Sequence, residues 1–248
     1  MTESAIHSDS ILALAKVDEP SHVLTASDDS SLLMFNWQTG EKVWQWDVHE
    51  RGVKKVLWGA TAKAVFSASR DASICVLKQD VPDPVLRIDA HKLVISALTT
   101  DAENRFLCSG SRDCSLSLWD VTTGKSTATK NIRRNVVTGA VWIPGEDAIF
   151  QTSEDLQLRV WDARTWQIAQ SVKTDHHFAL SSDVSSDGRY LLIGNNGFSS
   201  SGQLDGCECQ VWDRRMEKVL VEYKGHEQSV NSICFLPQTS DRSNLWYE

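Results

Sequence analysis

The sequence predicts an all-β fold built from a unit that repeats every 42 residues. Aspartates recur at that interval, at Asp29, Asp71, Asp113 and Asp155, and each closes a short Ser-x-Asp segment. Between these segments, short runs alternate polar and apolar residues, which is the pattern of half-buried strands. No stretch of 11 or more residues carries a helical apolar period. Together these observations favour strands over helices.

The third repeat shows how the strands follow one another. An apolar run at 94–98 precedes a polar turn at 101–104, and a second strand follows at 106–109. Residues 115–119 alternate as a third strand, and a Thr-Thr-Gly turn follows at 122–124. The same period predicts five units of four strands, at 10–46, 53–88, 94–130, 136–172 and 177–223, and a partial sixth that begins with Ser229–Leu236.

Composition narrows the class of protein. The 248 residues carry a net charge of −8, which argues against nucleic-acid binding through a broad basic surface. The first apolar run has only five residues, and no apolar stretch reaches 18 residues. We therefore expect a cytoplasmic protein without membrane insertion. The six cysteines are irregularly spaced, as expected for ordinary buried thiols in a reducing compartment.

A period of this length with Trp-Asp at a strand end is typical of β-propeller blades. The segments GSRD at 110–113 and LWD at 118–120 resemble the WD-repeat β-propeller family. The resemblance implies a hydrogen-bonded chain in each blade, here called the clasp. Its members are a His before the first strand, a Ser or Thr in the second, the turn Asp and a Trp in the third. The third blade has all four, namely His91, Ser109, Asp113 and Trp119.

The other blades keep parts of the clasp. The second has His49, Ser67 and Asp71, with Leu77 in place of Trp; the first has His7, Thr25 and Asp29, with Phe35 there. The fourth keeps Asp155 and Trp161, and the same register puts Arg133 and Gln151 at the His and Ser positions. The fifth has Trp212 without a turn Asp in register, because nine extra residues fall within a Gly/Ser-rich insertion at 195–209.

The clasp contains His, Ser and Asp, but its recurrence without a nucleophile motif favours structure over catalysis. Cys207 and Cys209 lie near the histidines of the fifth blade, but Cys-x-Cys is a weak zinc signal, and ordinary thiols are favoured. We therefore expect a protein that is not an enzyme and needs no metal or cofactor.

The register of the sixth blade places its turn Asp at position 248, which is Glu248, the last residue of the sequence, so its third and fourth strands are missing. Residues 244–247 are a candidate for part of its second strand. We expect a single propeller domain over 1–248 that is incomplete at its C-terminus. A truncated isoform or gene model is favoured over an irregular ring and over a ring that a partner completes.

Two surfaces are candidates for binding other proteins. The turn face, which carries the Ser-x-Asp turns, has a basic arc of Arg70, Arg112 and Arg134 with Arg51, Lys92, His176 and His177, flanked by Asp28 and Glu154. Such an arc suits an acidic peptide, with Arg70 and Arg112 as anchors. The alternative interpretation is a set of solvated turn charges, which usually contribute little energy.

The opposite face carries Trp-Asp-x-Arg boxes at 161–164 and 212–215. These boxes resemble the motif of substrate receptors of cullin-4 RING ubiquitin ligases. That resemblance implies adaptor contacts by Arg164 and Arg215. The alternative is a local ion pair within each turn, since motifs this short often match by chance.

Several segments resemble one subgroup of the family more than WD repeats in general. They include RRNVVTGAVWIPGE at 133–146, QTSEDLQLRVWDAR at 151–164 and the NNGF insertion at 195–198. The resemblance implies a non-enzymatic adaptor in the assembly of cilia or flagella, or in ciliary traffic.

Overall fold

The computed structural model describes residues 7–174, 177–197 and 206–236. Within them the chain forms five sheets, each with four antiparallel strands in sequence order. Blade 1 contains β1 (Ile11–Lys16), β2 (His22–Ser27), β3 (Leu32–Asn36) and β4 (Glu41–Trp46). Blade 2 contains β5 (Val53–Gly59), β6 (Ala64–Ser69), β7 (Ser73–Leu77) and β8 (Leu86–Asp89). Blade 3 contains β9 (Ile95–Thr100), β10 (Phe106–Ser111), β11 (Ser115–Asp120) and β12 (Ser126–Asn131).

Blade 4 contains β13 (Val137–Trp142), β14 (Ala148–Ser153), β15 (Gln157–Asp162) and β16 (Gln167–Lys173). Blade 5 contains β17 (Ala179–Val184), β18 (Tyr190–Asn195), β19 (Cys209–Asp213) and β20 (Lys218–Tyr223). The all-β fold predicted from the sequence is confirmed, and the described residues include no helix that could span a membrane.

The turn between the second and third strands explains why Asp recurs. The residue after each Asp has a left-handed backbone, with φ values of 74° at Ser30, 68° at Ala72, 70° at Cys114 and 64° at Leu156. A non-glycine residue in this region costs about 1–2 kcal/mol. In blade 3 the Oδ1 atom of Asp113 offsets that cost, because it accepts a 3.0 Å hydrogen bond from the Ser115 amide across the turn.

The hydrophobic core lies between neighbouring blades. The first strands β1, β5, β9, β13 and β17 contact one another in that order. Each of the four interfaces encloses one fully buried aromatic side chain, namely Trp46, Phe66, Trp161 and Phe150. Fully burying a side chain of this size contributes roughly 1.5–3 kcal/mol. Stacking of one sheet on the next therefore stabilises the blades and fixes their turns on a common face.

The segment 229–236 lies against blade 5 at the position of a further first strand. The Val230 amide donates a 3.1 Å hydrogen bond to the Asn195 carbonyl. Ser181 Oγ donates to the Val230 carbonyl at 2.8 Å, much as Thr138 Oγ1 donates to the Ala179 carbonyl at 2.6 Å one blade earlier. The segment forms no regular strand. It nevertheless begins the partial sixth blade, whose predicted second strand at 244–247 lies outside the described residues.

Candidate functional site

In blade 3 the four clasp residues form one hydrogen-bonded chain. His91 Nδ1 lies 3.2 Å from Asp113 Oδ2, and His91 Nε2 lies 2.7 Å from Ser109 Oγ. Trp119 Nε1 donates to the same Ser109 oxygen at 2.8 Å. The Ser109 hydroxyl finds an acceptor in His91 Nε2, so we assign the imidazole proton to Nδ1, where it is donated to the carboxylate.

The pKa values in this clasp follow from its burial and hydrogen bonds. Burial lowers the pKa of His91 below its ordinary 6.5, against the opposing charge of Asp113. Burial alone would raise the pKa of Asp113, but hydrogen bonds from the Lys92 amide and from Ser115 outweigh it and lower that pKa. The stable state is therefore a neutral imidazole beside an ionised carboxylate.

Blades 1 and 2 build shorter versions of the chain. His7 lies 3.0 Å from Asp29 and 2.7 Å from the Thr25 hydroxyl. His49 lies 3.1 Å from Asp71 and 2.8 Å from the Ser67 hydroxyl. The third strands carry Phe35 and Leu77 where blade 3 has Trp. Because neither side chain has an N–H donor, both chains end at the hydroxyl.

The Ser-His-Asp geometry does not make a catalytic triad. Ser67 and Ser109 are fully buried, and each hydroxyl lies against its own histidine within the sheet. A substrate carbonyl has no approach to either oxygen, and nucleophilic attack needs a position close to both nucleophile and oxyanion donors. In these blades the set holds the loop before one strand to the turn between two others.

Blade 4 departs from the sequence prediction. Arg133 is exposed and takes no part in the clasp. The buried Asn135 lies there instead, and its Oδ1 accepts hydrogen bonds from Gln151 Nε2 at 2.6 Å and from Arg159 Nη1 at 3.0 Å. The polar position that replaces His lies two residues further along the chain, because the loop before β13 reaches inward at 135 rather than at 133.

Asn135 occupies the place of histidine, but Arg159 makes the contact with the turn Asp that histidine makes in blades 1 to 3, and the clasp predicted from the sequence does not include it. Its guanidinium contacts both oxygens of Asp155, at 3.1 Å and 2.5 Å, and is only 7% exposed as a side chain. Trp161 Nε1 donates to Gln151 Oε1 at 2.8 Å, which completes the chain. The buried pair needs these additional hydrogen bonds, since desolvation of two charges is otherwise costly.

Blade 5 has no clasp of the predicted kind in its described residues. Trp212 Nε1 contacts Gln210 Oε1 of its own strand at 3.3 Å. A different ion pair closes the other end of the sheet, where Arg189 Nη2 lies 2.9 Å from the buried Asp213 carboxylate. The insertion separates β18 from β19 at the place of the Ser-x-Asp turn, and its residues 198–205 lie outside the described part.

The arginines of the turn face are partly engaged with neighbouring blades. Arg70 Nη2 lies 3.0 Å from Asp28 of blade 1, and Arg112 Nη2 lies 3.7 Å from Glu154 of blade 4. Arg134 is exposed, with a left-handed φ of 67°, and its side chain contacts no charged or hydrogen-bonding group of the described residues. The predicted basic arc is therefore interrupted by acidic partners. His176 lies outside the described residues.

On the opposite face the two Trp-Asp-x-Arg boxes are not equivalent. Asp162 accepts hydrogen bonds from the Arg164 and Thr165 amides, both at 2.9 Å, and the Arg164 side chain is 75% exposed with Asp147 at 3.7 Å. In the second box Asp213 pairs with Arg189, while Arg215 is exposed. Neither box contains the Asp–Arg side-chain pair of the alternative interpretation. Arg164 borders a cleft of about 550 Å³.

Cys207 and Cys209, at the end of the insertion, are the cysteines considered for zinc. The described residues contain no group of three or more His, Cys, Asp or Glu side chains that could hold a metal ion. Burial raises the pKa of Cys209, which disfavours the thiolate that zinc requires.

Comparison with protein-family models finds a match that ends in blade 3. Residues 82–120 match the family model described as WD domain, G-beta repeat. The match and the five repeated sheets support the WD-repeat family. The matched WD repeat ends at Asp120, the Trp-Asp of blade 3, and includes every member of the complete clasp. It identifies the repeat in general and does not address the ciliary subgroup.

Proposed function

We propose that this protein is a cytoplasmic, non-enzymatic adaptor that acts in the assembly or traffic of cilia or flagella, and that it docks its protein partners on the turn face. WD repeats generally bind other proteins, and the matched repeat supports a scaffold of this kind. The ciliary setting rests on the sequence segments at 133–146, 151–164 and 195–198 that resemble that subgroup.

The main support for this docking site is the arrangement of arginines on the turn face. Arg70, Arg112 and Arg134 come from three consecutive blades and are fixed by stacked sheets. The 3.7 Å contact of Arg112 with Glu154 is an exposed pair, which contributes at most about 1 kcal/mol. A partner carboxylate can therefore replace Glu154 beside Arg112 at little cost in free energy. Arg134 has no acidic partner among the described residues, so a partner carboxylate displaces nothing there.

The experiment uses the full chain, tagged in ciliated cells, with partners recovered by affinity purification. In the double variant Arg112→Glu with Arg134→Glu, basal-body or transport proteins should no longer be recovered with the tagged chain, because the charge at the docking site is reversed. Arg164→Glu with Arg215→Glu, on the opposite face, is the matched control and should retain them. A diffuse protein whose loss leaves cilia normal contradicts the ciliary setting.

A second candidate function is that of a substrate receptor for a cullin-4 RING ubiquitin ligase. It is favoured by the 75% exposed side chain of Arg164, which borders the 550 Å³ cleft and whose ion pair is with Asp147 at 3.7 Å rather than with Asp162 of its own box. Changing Arg164 and Arg215 to Ala should abolish binding to the adaptor subunit of the ligase. Changing Arg112 and Arg134 to Ala should leave that binding intact. Adaptor binding that survives the first pair of changes removes this function.

A further inference from the structure

Lys55 lies in a small cavity on the axis of the propeller. The cavity has a volume of about 110 Å³ and is bordered by residues of the first strands β5, β9, β13 and β17 and by 231–233. Because the first strands of successive blades meet there, the cavity is part of the central channel. At about 30 Å³ per water molecule, it has room for three or four waters or for one small polar group.

The lining of this cavity offers one cation and several hydrogen-bond donors. Besides Lys55 it includes the polar side chains of Ser182, Asn231 and Ser232, together with Thr138 and Ser181, whose hydroxyls already donate to backbone carbonyls. No Asp or Glu lines it among the described residues. Burial lowers the pKa of Lys55, and the charge of Lys54 lowers it further. A partly buried ammonium without a counterion is destabilising, so this cavity favours an anion.

Lys54, the neighbour of Lys55 in β5, adds further positive charge close to the turn-face arginines. Lys54 is partly buried, and its pKa is lowered by that burial and by the charges of Arg70 and Arg112, against the opposing charge of Asp28. The nearby carboxylates of Asp28 and Glu154 already contact the two arginines. The charges of Lys54 and Lys55 are therefore not balanced by these two acids, and this region is locally positive although the whole chain carries a net charge of −8.

We propose that the channel mouth binds an acidic segment of a protein partner, whose Asp or Glu side chain enters the cavity and pairs with Lys55. The hydroxyls of Ser182 and Ser232 donate to the carboxylate, and neighbouring acids of the segment meet Lys54, Arg112 and Arg134 on the turn face. A peptide fits better than a free anion because the cations extend from the cavity to the exposed rim. This inference rests on the turn face as the docking surface.

The test measures binding of a fluorescein-labelled octa-glutamate peptide to the purified full chain by anisotropy at low salt. Lys55→Met keeps the length of the side chain and removes its charge. It should weaken binding about tenfold or more, as expected for the loss of a desolvated charge contact. Lys130→Met, at an exposed position of β12, is the matched control and should change binding by less than about twofold.

Stability separates a binding effect from misfolding. Lys55→Met should unfold at the same or a higher urea concentration than the wild type, since it removes a cation without a counterion. Equal peptide affinity of Lys55→Met and the wild type overturns the inference. Recovery of partners that still depends on Arg112 and Arg134 then shows that the turn-face proposal survives without it. If inorganic phosphate displaces the peptide completely at equal concentration, the site binds free anions and the inference is also wrong.

Discussion

Gln151 Nε2 donates a 2.6 Å hydrogen bond to Oδ1 of Asn135 inside blade 4. Both side chains are fully buried. In blades 2 and 3 the corresponding contact is between a serine hydroxyl and a histidine, at 2.8 Å and 2.7 Å. One blade therefore achieves the same connection between loop, strand and turn with amides and a guanidinium. Its dependence on pH and on mutation should differ from that of its neighbours.

Arg159→Met should be among the most destabilising single changes in blade 4. It leaves Asp155 as a largely buried carboxylate without its cation and removes a donor to Asn135 Oδ1. Breaking a buried pair from one side costs about 3–5 kcal/mol. Urea unfolding followed by tryptophan fluorescence measures the loss.

Arg105→Met is the control for this change. Arg105 also pairs with two acids, but its side chain is 65% exposed. Exposed pairs contribute about 0–1 kcal/mol, so this variant should unfold close to the wild type. Equal losses for the two variants would contradict the role given to Arg159.

Ser109→Ala should destabilise the protein more than Thr25→Val does. Ser109 Oγ hydrogen-bonds to both His91 and Trp119, whereas Thr25 Oγ1 hydrogen-bonds to His7. Blade 1 lacks the second bond because Phe35, which has no N–H donor, occupies the position of Trp119. Each buried polar group left unpaired costs about 1–3 kcal/mol. Thermal and urea unfolding of the two variants gives the comparison, and a larger loss for Thr25→Val would refute the assigned network.

Acidification should lower the free energy of unfolding in two stages. The pKa of His91 is lowered in the folded state, so the unfolded chain takes up that proton first as pH falls through 6.5. The pKa values of Asp29, Asp71 and Asp113 are also lowered, so their contribution is present above about 3.8 and is lost below it. Urea titrations at neutral pH, near pH 5 and near pH 3 measure both stages.

Asp113→Asn separates the second stage from general acid effects. At neutral pH it should be less stable than the wild type, because the ionised carboxylate accepts hydrogen bonds from the backbone amides of Lys92 and Ser115 and from the His91 ring. Near pH 3 the difference should shrink as the wild-type carboxylate takes up a proton. A difference independent of pH would show that the charge of Asp113 does not contribute.

The sequence pattern predicts the strands well because they follow a strict period. Predicted and observed blade limits agree to within two residues. Loops are less regular, so the 42-residue register points to Arg133 although Asn135, two residues later, is the buried polar residue. Arg159 occupies the register of Leu33, Cys75 and Ser117, so an arginine at an otherwise apolar or small position was the available signal. The ion pairs between Arg70 and Asp28 and between Arg112 and Glu154 join neighbouring blades. They depend on the rotation of one blade relative to the next, which the repeat period does not predict.

Gly194→Ala should loosen the start of the sixth blade while the five complete sheets stay folded. A Cβ at Gly194 would lie 2.7 Å from Val230 Cγ1 and 2.6 Å from Ser181 Oγ, whose hydroxyl donates to the Val230 carbonyl. One at Gly110 would likewise lie 2.3 Å from Val137 Cγ1 between blades 3 and 4. The displaced segment loses the hydrogen bond from the Val230 amide to the Asn195 carbonyl. Hydrogen exchange at the Val230 amide should therefore accelerate.

Gly110→Ala is the counterpart inside the sheet stack. It should lower the global free energy of unfolding by about 1–3 kcal/mol, because overpacking there pushes two complete blades apart. Adding Val230→Ala to Gly194→Ala should slow exchange at this amide again only in part, because it removes the contact with Cγ1 while Ser181 Oγ at 2.6 Å and the Val230 Cβ at 2.9 Å remain. Unchanged exchange at Val230 in Gly194→Ala would mean that the segment does not pack on blade 5 as a first strand.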